Sequence, residues 1–401
     1  MREFIQKYGE ELCGKLEFFL EETLRGHVEK KRASNLTNLL KAVHVLEYLG
    51  QLRREGLDPL FKGGSAVQLL LPNGWQRLSI DLDLAMEVSR DEVEEALRGI
   101  HERFGSEYYS YEPREGKLES GVPFYNYRIT VPTFGGEAII LLDIMLVDLG
   151  YERQRKALRS FFYESEVEVE TPTMDAILGD KLSTLGPDTI GRYLRDSRNG
   201  LEYVKHLYDI KQLLPHVKDL NKTFAAYRES YELQLRIRNI KLDLDASLKD
   251  LIHVCKFLTL TKDTAVEQTS LLGGEGAKTL EYFRICNRGL ARFQPFLTLD
   301  NVFTWENVRE TAAVIAFAAK LMEQGRMGKI GGEATDLLRS AMEGALRIAQ
   351  DEAVVDKMIE EIASQPAEER WHINSNEIKE SPLLTVFWYG YWSPERFAEY
   401  L

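Results

Sequence analysis

Residues 79–86 alternate between apolar side chains and polar or small ones. The apolar positions are Ile80, Leu82, Leu84 and Met86, and the positions between them are Ser79, Asp81, Asp83 and Ala85. A period of two is typical of a half-buried β-strand, in which alternate side chains leave the same face. Both aspartates therefore project from one face, with Cα atoms about 6.5–7 Å apart.

The same patterns divide the N-terminal half of the chain into helices followed by strands. Residues 1–56 show two amphipathic helical patterns, the second beginning with a cap at Ser34 and Asn35. Strand patterns then dominate up to about Val169, with one helix near residues 90–104. The predicted strands are a short one through Phe61 and the segments 81–88, 108–111, 124–131, 138–147 and 166–170.

From Thr171 onwards the periodicity is almost entirely helical. Thr171-Pro172-Thr173 supplies capping chemistry for a helix that contains Lys181. The aromatic run Phe387–Trp392 is expected to pack onto the core. The order of elements predicts an α+β fold, with a small mixed β-sheet domain packed on helices and a mainly α-helical C-terminal domain after it. The predicted domains are N-terminal helices at 1–56, the sheet domain at 57–215 and the helical domain at 216–401.

A glycine pair stands between the short Phe61 strand and an apolar helical segment. Gly63 and Gly64 permit positive φ and a close approach of the backbone to a ligand, and Ser65 is a candidate N-cap. The helix that follows is stopped by Pro72-Asn73-Gly74. Free N–H groups and the dipole at such a helix start favour an anion, and Ser65 is also placed to bond a terminal phosphate. Alone, however, Gly-Gly-Ser is also an ordinary tight turn.

The two aspartates of the predicted strand are candidate metal ligands. Magnesium prefers oxygen ligands and usually takes one or two carboxylates together with substrate phosphates. The alternative is a solvated strand face that carries two acids. The glycine turn upstream of Asp81 and Asp83 favours a site for a magnesium-bound nucleoside triphosphate.

Gly64-Ser65 followed by Asp81-x-Asp83 resembles the first motif of the polymerase-β-like nucleotidyltransferase superfamily. The spacing is longer here than in the minimal domains of that superfamily, so the loop before the strand is expected to be extended. Within the superfamily the chain most resembles the AbiEii/AbiGii toxin family. The pattern Lys-Gly-Gly-Ser/Thr-Ala matches Lys62–Ala66, and Arg-x-Ser-x-Asp-x-Asp-Leu matches Arg77–Leu84.

This resemblance implies a magnesium-dependent nucleotidyltransferase that moves a nucleoside monophosphate from a nucleoside triphosphate to an acceptor, tRNA or another RNA. It also implies the toxin of a toxin–antitoxin or abortive-infection system, with a cognate antitoxin as partner. The implied nucleotide-binding residues are Lys62, Gly63, Gly64, Ser65 and Ser79. A kinase-like variant, a variant that modifies protein with a nucleoside monophosphate, and an inactive nucleotide-binding adaptor are the alternatives.

Asp143 is the acid inside the apolar run 138–147, which is predicted to be a central strand of a covered sheet. A buried carboxylate must be neutral, paired or bound to a cation. The superfamily has a third aspartate on a neighbouring strand, so the resemblance implies that Asp143 joins Asp81 and Asp83 as a metal ligand and catalytic residue. The alternative is a salt bridge with Arg128.

Lys181 and Asp209 are two further candidate catalytic residues. Lys181 falls within an apolar helical stripe, so it snorkels, finds an acid or reaches a triphosphate. Its segment Asp175–Leu182 resembles a family segment that carries a lysine. Asp209 lies in Lys205–Ile210, which resembles Arg-Asp-Leu-Tyr-Asp-Leu, with Lys205 for the arginine and His206 for the first acid. A helical wheel instead places Asp209 opposite the apolar side, where it can form a surface pair with Lys205.

Composition is that of an ordinary soluble protein. The 401 residues favour two domains, and 44% are hydrophobic and 29% charged. No apolar run approaches a membrane span, the first residues resemble an amphipathic helix rather than a signal peptide, and the expected location is the cytoplasm. Cys13, Cys255 and Cys286 are widely scattered, so neither a disulfide framework nor a zinc site is indicated.

The net charge of −13 does not favour non-specific adhesion to nucleic acid. Positive side chains nevertheless cluster near the predicted site, at Arg192, Arg195, Arg198 and Lys205. Such a patch can grip the end of an acceptor RNA while the rest of the surface stays acidic. Solvated helix faces are the alternative.

Overall fold

The structure is a computed structural model. It describes residues 32–106, 108–114, 122–133, 136–194, 199–261, 274–297, 301–326, 332–364 and 381–401. The first predicted helix and Cys13 therefore lie outside the described residues, as do Arg195 and Arg198. Within the described ranges, no helix is long and apolar enough to cross a membrane.

The described elements begin with helix α1 at Arg32–Arg54 and continue into a region of mixed strands and helices. The strands are β1 Leu60–Lys62, β2 Asp81–Ala85, β3 Ser110–Pro113, β4 Phe124–Thr133, β5 Gly136–Met145, β6 Arg153–Ser160 and β7 Tyr163–Pro172. Helix α2, Gly63–Leu70, joins β1 to the segment before β2, and helix α3, Arg90–Phe104, lies between β2 and β3.

Helices follow from residue 174 onwards in the described part of the chain. They are α4 Met174–Ser183, α5 Asn199–Leu213, α6 Leu220–Arg238, α7 Leu244–Leu258, α8 Gly274–Phe293, α9 Trp305–Arg326, α10 Glu333–Ala349, α11 Glu352–Ala363, α12 Pro382–Trp392 and α13 Pro394–Phe397. Short 3₁₀ turns at Leu214–His216 and Gln294–Phe296 follow α5 and α8. The α+β fold class predicted from the sequence is confirmed, with a mixed sheet first and helices after it.

The chain forms two compact units. The first contains the described residues up to Ile177, together with Leu233–Ile240 and the described residues of Gln294–Asn301. Its seven strands form one sheet in the order β3-β4-β5-β2-β1-β7-β6. The pairs β2–β5 and β1–β7 are parallel and the other neighbours are antiparallel, so the sheet is mixed.

Helix α1 packs on this sheet, in contact with β2, β4, β5 and β7. Residues 42–52 of the helix are buried throughout, which explains why polar side chains there have internal partners. The hydroxyl of Tyr163 donates to Oε2 of Glu47 at 2.6 Å, and His44 contacts the Tyr109 hydroxyl at 3.1 Å. The described part of the first unit therefore buries α1 against the sheet.

The second unit contains Leu178–Glu232, Lys241–Phe293 and Val302–Leu401, and its described residues form helices. Helix α9 packs against α7 and α12, and α5 packs against α8. Trp388 and its neighbours in α12 are buried, so the interpretation of the aromatic run as a core segment is confirmed.

Three local expectations were wrong. Helix α1 begins at Arg32, so Ser34 and Asn35 lie within it rather than capping it. Strand β6 was not predicted, because Leu158 is its one buried apolar side chain and charged residues fill most other positions. The run 138–147 is not covered along its whole length, since Ile139 in β5 is 45% exposed.

Candidate functional site

A row of polar side chains crosses four neighbouring strands of the sheet. The register pairs Asp83 of β2 with Asp143 of the parallel strand β5. On its other side, Asp83 pairs with Lys62 of β1, and Asp143 pairs with Asn126 of β4. Paired residues share a face, and neighbouring strands lie about 4.8 Å apart. Asp81, two residues before Asp83, projects from the same face, so the fold brings the three predicted carboxylates together.

These three aspartates are half-buried, which leaves them accessible to a ligand. The side-chain amide of Asn126 donates a hydrogen bond to Oδ1 of Asp143. Arg128, the alternative partner considered for Asp143, lies opposite Leu141 and is exposed. Among the described residues, the structure records no ion pair between Arg128 and Asp143. Asn126, a residue that the sequence did not single out, is thus one neighbour that orients Asp143.

Gly63 lies directly against the carboxylate of Asp83. Its φ is +72°, in the left-handed region that favours glycine. A Cβ at this position would stand 2.7 Å from Cγ of Asp83 and 2.9 Å from its Cβ, well inside the usual 3.5–4.0 Å carbon contact. The glycine turn and the aspartate strand therefore depend on each other, as expected for one composite site.

Gly64 makes a similar close approach to the segment before β2. A Cβ on Gly64 would meet Ser79 Oγ at 2.7 Å and would also clash with the guanidinium of Arg77. Arg77 and Ser79 are both buried, and Nη1 of Arg77 donates to the carbonyl of Leu78 at 3.1 Å. Both glycines of the turn are thus required by side chains of the second motif.

Ser65 does not cap helix α2. The helix begins at Gly63, the N-cap position is Lys62, and no side-chain capping bond is present there. The Ser65 hydroxyl is fully buried and donates to the backbone carbonyl of Asp81 at 2.5 Å. The N-cap prediction is therefore wrong, because Ser65 ties the helix to the start of β2 instead. Its bond to a phosphate stays a prediction.

The loop between α2 and β2 is held by glutamine side chains. Gln68 Oε1 accepts from the Ser79 N–H at 3.2 Å, and Gln76 Nε2 donates to the carbonyls of Gln68 and Leu71 at 2.7 and 2.8 Å. These bonds satisfy the backbone of an extended loop that carries no regular structure of its own. They fix the direction in which the chain enters the strand of Asp81 and Asp83.

The donor set suits magnesium, although the three aspartates, which share one face of the sheet, do not form an ion site by themselves. In the part of the chain that the structure describes, no group of three or more histidine, cysteine, aspartate or glutamate side chains could hold a metal ion. Magnesium usually needs one or two carboxylates plus substrate phosphates, so Asp81 and Asp83 fit that requirement.

Lys181 and Asp209 form a buried ion pair within the second unit. Nζ of Lys181 lies 3.0 Å from Oδ2 of Asp209, and the two side chains are 3% and 1% exposed. Nζ also lies 3.4 Å from Nδ1 of His206. Lys181 was expected to snorkel, to pair with an acid or to reach a triphosphate, and the structure shows the acid, Asp209. A role with a triphosphate stays a prediction.

The expected surface position of Asp209 on helix α5 was wrong. Asp209 is buried rather than solvated, and Lys205 pairs with Glu202 at 2.8 Å. The helical wheel wrongly predicted an exposed polar side because α5 is covered on almost every side. Its polar side chains are therefore buried together with its apolar ones. Lys205 is itself buried, which removes it from the proposed basic patch, whereas Arg192 is exposed.

A family model described as "Nucleotidyl transferase AbiEii toxin, Type IV TA system" matches residues 51–263, which is more than half of the chain. No curated protein matches the chain significantly. Two crystal structures from Helicobacter pylori are similar over part of it. A candidate nucleotidyltransferase has 16% identity and a TM-score of 0.32, covering 65% of this chain and 96% of its own.

The second structure, JHP933, has 15% identity and a TM-score of 0.32, with coverage of 66% of this chain and 94% of its own. Scores this low do not establish a shared fold, so the evidence for kinship is the family match.

Proposed function

Because the chain belongs to the AbiEii nucleotidyl transferase toxin family, we propose that it transfers a nucleoside monophosphate from a nucleoside triphosphate to an RNA acceptor, tRNA above all. The reaction depends on magnesium. The chain acts as the toxin of a type IV toxin–antitoxin system, and a cognate antitoxin is its partner.

The observation that best supports this proposal is the contact between the glycine turn and the aspartate strand. Gly63 fits against Asp83 only because it lacks a Cβ, and Asp83 is the direct neighbour of Asp143. The first turn of helix α2 directs free N–H groups beyond Gly63 and Gly64, which suits the β- and γ-phosphates. A half-buried row of carboxylates beside an anion site suits a polyphosphate bound with a cation.

The chemistry is an in-line substitution at the α-phosphorus. An acceptor hydroxyl oxygen forms the new bond to that phosphorus, and the bond to the bridging oxygen breaks to release pyrophosphate. Asp143, fixed by Asn126, takes the hydroxyl proton. Magnesium, held by Asp81 and Asp83, supplies charge neutralisation on the phosphates when it is bound. Catalysis then rests mainly on position and electrostatics.

The family supports an RNA acceptor, and the charge of the chain restricts how that RNA can bind. A net charge of −13 opposes loose binding to any polyanion, so an RNA acceptor must be recognised at a local site. Arg192 is an exposed candidate for one phosphate contact. Lys181 remains the predicted group for the charge of the leaving pyrophosphate.

The test determines which phosphate of the nucleoside triphosphate is transferred and which molecule receives it. The protein is incubated with magnesium, total tRNA and each of the four nucleoside triphosphates, labelled with ³²P at the α- or the γ-phosphate. The proposal predicts label from the α-position on RNA with one or more of the four. Label from the γ-position would instead show kinase chemistry, and α-label on the protein alone would show protein modification. Binding without any transfer would favour the inactive adaptor.

A further inference from the structure

Arg128 and Ile139 lie on the face of the sheet that carries the three aspartates. Arg128 of β4 lies opposite Leu141 of β5, and Leu141 in turn lies opposite Asp81 of β2. Paired residues share a face, so Arg128 projects from the same face as the aspartates. Ile139, two residues before Leu141, projects from that face as well. The face of the aspartates therefore continues onto β4 and carries a cation there.

Both side chains are exposed, although neither lies on an edge strand of the sheet. Arg128 is exposed on β4, and Ile139 is 45% exposed on β5. On the other face of β5, Ile140 and Leu142 are fully buried. The face that carries the aspartates is therefore accessible to a ligand at β4 and β5.

Two acids lie close to Arg128 in the register of the sheet. Glu112 of β3 is directly opposite it, and Asp143 of β5 is its diagonal neighbour, about 7–8 Å away. Among the residues that the structure describes, neither acid forms an ion pair with Arg128. The planar guanidinium of an exposed arginine binds a phosphate through two parallel N–H groups. Arg128 therefore places a phosphate-binding group next to Asp143.

The position of Arg128 relative to the aspartates favours contact with the acceptor rather than with the nucleotide. In the sheet order β4-β5-β2-β1, the glycine turn follows β1 and Asp83 lies on β2. Asp143, the proposed base for the acceptor hydroxyl, lies on β5 between Asp83 and β4. A triphosphate at the glycine turn and β2 is therefore on one side of the base, and Arg128 is on the other.

We propose that strands β4 and β5 bind the acceptor RNA, with Arg128 holding a backbone phosphate next to the reacting hydroxyl. The proposal rests on the proposed function, because it takes Asp143 as the base of nucleotidyl transfer. The carboxylates repel a polyanion, and a cation beside them offsets that repulsion where the RNA enters. Ile139 offers an apolar contact to a ribose or a base of the same RNA.

Binding of total tRNA, labelled with a fluorophore at its 5′ end, tests this contact without requiring transfer. Arg128→Gln removes the charge, and Arg98→Gln removes the same charge from an exposed position of helix α3. At about 50 mM salt, we expect Arg128→Gln to weaken binding about fivefold or more and Arg98→Gln to leave it within about twofold. Between about 50 and 200 mM salt, the slope of log K against log salt should become shallower by about 0.7–0.9 in Arg128→Gln alone.

A second variant tests the face rather than the arginine. Ile139→Glu adds a carboxylate at an exposed position and leaves Arg128 in place. It should weaken tRNA binding about tenfold, whereas Leu346→Glu, at a 63% exposed position of the second unit, should leave it unchanged. Thermal unfolding of every variant is measured alongside, so that a loss of folding is not mistaken for a loss of binding.

Equal tRNA binding by Arg128→Gln and Arg98→Gln would overturn the proposal. The affinity for each nucleoside triphosphate with magnesium, measured by calorimetry, should be the same in both variants, and a selective loss in Arg128→Gln would place the arginine at the nucleotide instead. If the wild type transfers no nucleotide, the proposed function fails, and the tRNA affinities and salt slopes still decide whether Arg128 contacts RNA. Transfer of α-label to protein alone, with tRNA binding unaffected by Arg128→Gln, would contradict an RNA acceptor on this face.

Discussion

Replacing Gly63 by alanine should abolish most activity without unfolding the protein. The new methyl group would stand 2.7 Å from Cγ and 2.9 Å from Cβ of Asp83. Carbon atoms normally approach to about 3.5–4.0 Å, so the Asp83 side chain must move by about 1 Å. A displacement of this size at a reacting centre reduces the rate about 100-fold.

The expected loss of folding stability in Gly63→Ala is modest, and a control variant with the same backbone strain can match it. A residue with a side chain at the φ of +72° found at Gly63 loses about 1–2 kcal/mol. For a domain of about 150–250 residues this lowers the melting temperature by about 2–8 °C. Gly56 also has a positive φ, of +94°, but a Cβ there would meet nothing within 4 Å. Gly56→Ala therefore carries similar backbone strain without touching Asp83.

Both variants are assayed for transfer of α-³²P label and for thermal unfolding. The structure predicts similar melting temperatures but about 100-fold slower transfer for Gly63→Ala than for Gly56→Ala. Transfer by Gly63→Ala within about threefold of the control would refute the dependence of the Asp83 carboxylate on this glycine.

Other predictions concern the buried and paired acids. Lys181→Met should lower stability by about 3–5 kcal/mol, because it removes the cation that lies 3.0 Å from the carboxylate of Asp209, which is 1% exposed. Adding Asp209→Leu should restore most of that loss, as measured by thermal unfolding. Asn126→Asp should place a like charge opposite Asp143 and so lower the melting temperature. Adding magnesium should raise the melting temperature of this variant by more than it raises that of the wild type. Desolvation raises the pKa of Asp250 in spite of hydrogen bonds from Thr189 and from the Asp188 N–H. The carboxyl of Asp250 therefore binds a proton more tightly in the folded state than in the unfolded state. The stability that this tighter proton binding contributes is lost as the pH rises from about 4, the unfolded value, through the raised pKa of the folded state. Asp250→Asn should remove that loss, so its melting temperature relative to the wild type should rise between pH 4 and pH 7; a constant difference would contradict the reasoning.

Periodicity was sufficient to predict the strand that carries the site. The alternation around Asp81 and Asp83 predicted β2 because one face of that strand is buried and the other holds the acids. Strand β6 was not predicted because its sequence shows no such alternation. It lies at an edge of the sheet, where charged side chains such as Arg155 cover the strand and pair with acids across it.

The partners of the site residues could not be read from single segments. Asn126 lies 17 residues from Asp143, and only the antiparallel register of β4 and β5 brings them together. Ser65 resembled a cap by its position after two glycines, but the carbonyl of Asp81 lies within reach of its hydroxyl. Asp209 is buried because other helices pack around α5. A helical wheel uses the sequence of α5 alone and therefore carries no information about those helices.

The most direct test of the account is the rate of nucleoside monophosphate transfer by Asp83→Asn. The change keeps the size of the side chain and removes its charge. Glu87→Gln, an exposed acid just beyond β2, is the matched control. Transfer from an α-labelled nucleoside triphosphate should fall about 100-fold or more in Asp83→Asn and stay unchanged in Glu87→Gln. Equal transfer by the two variants would contradict the assignment of the aspartate row as the site of nucleotidyl transfer.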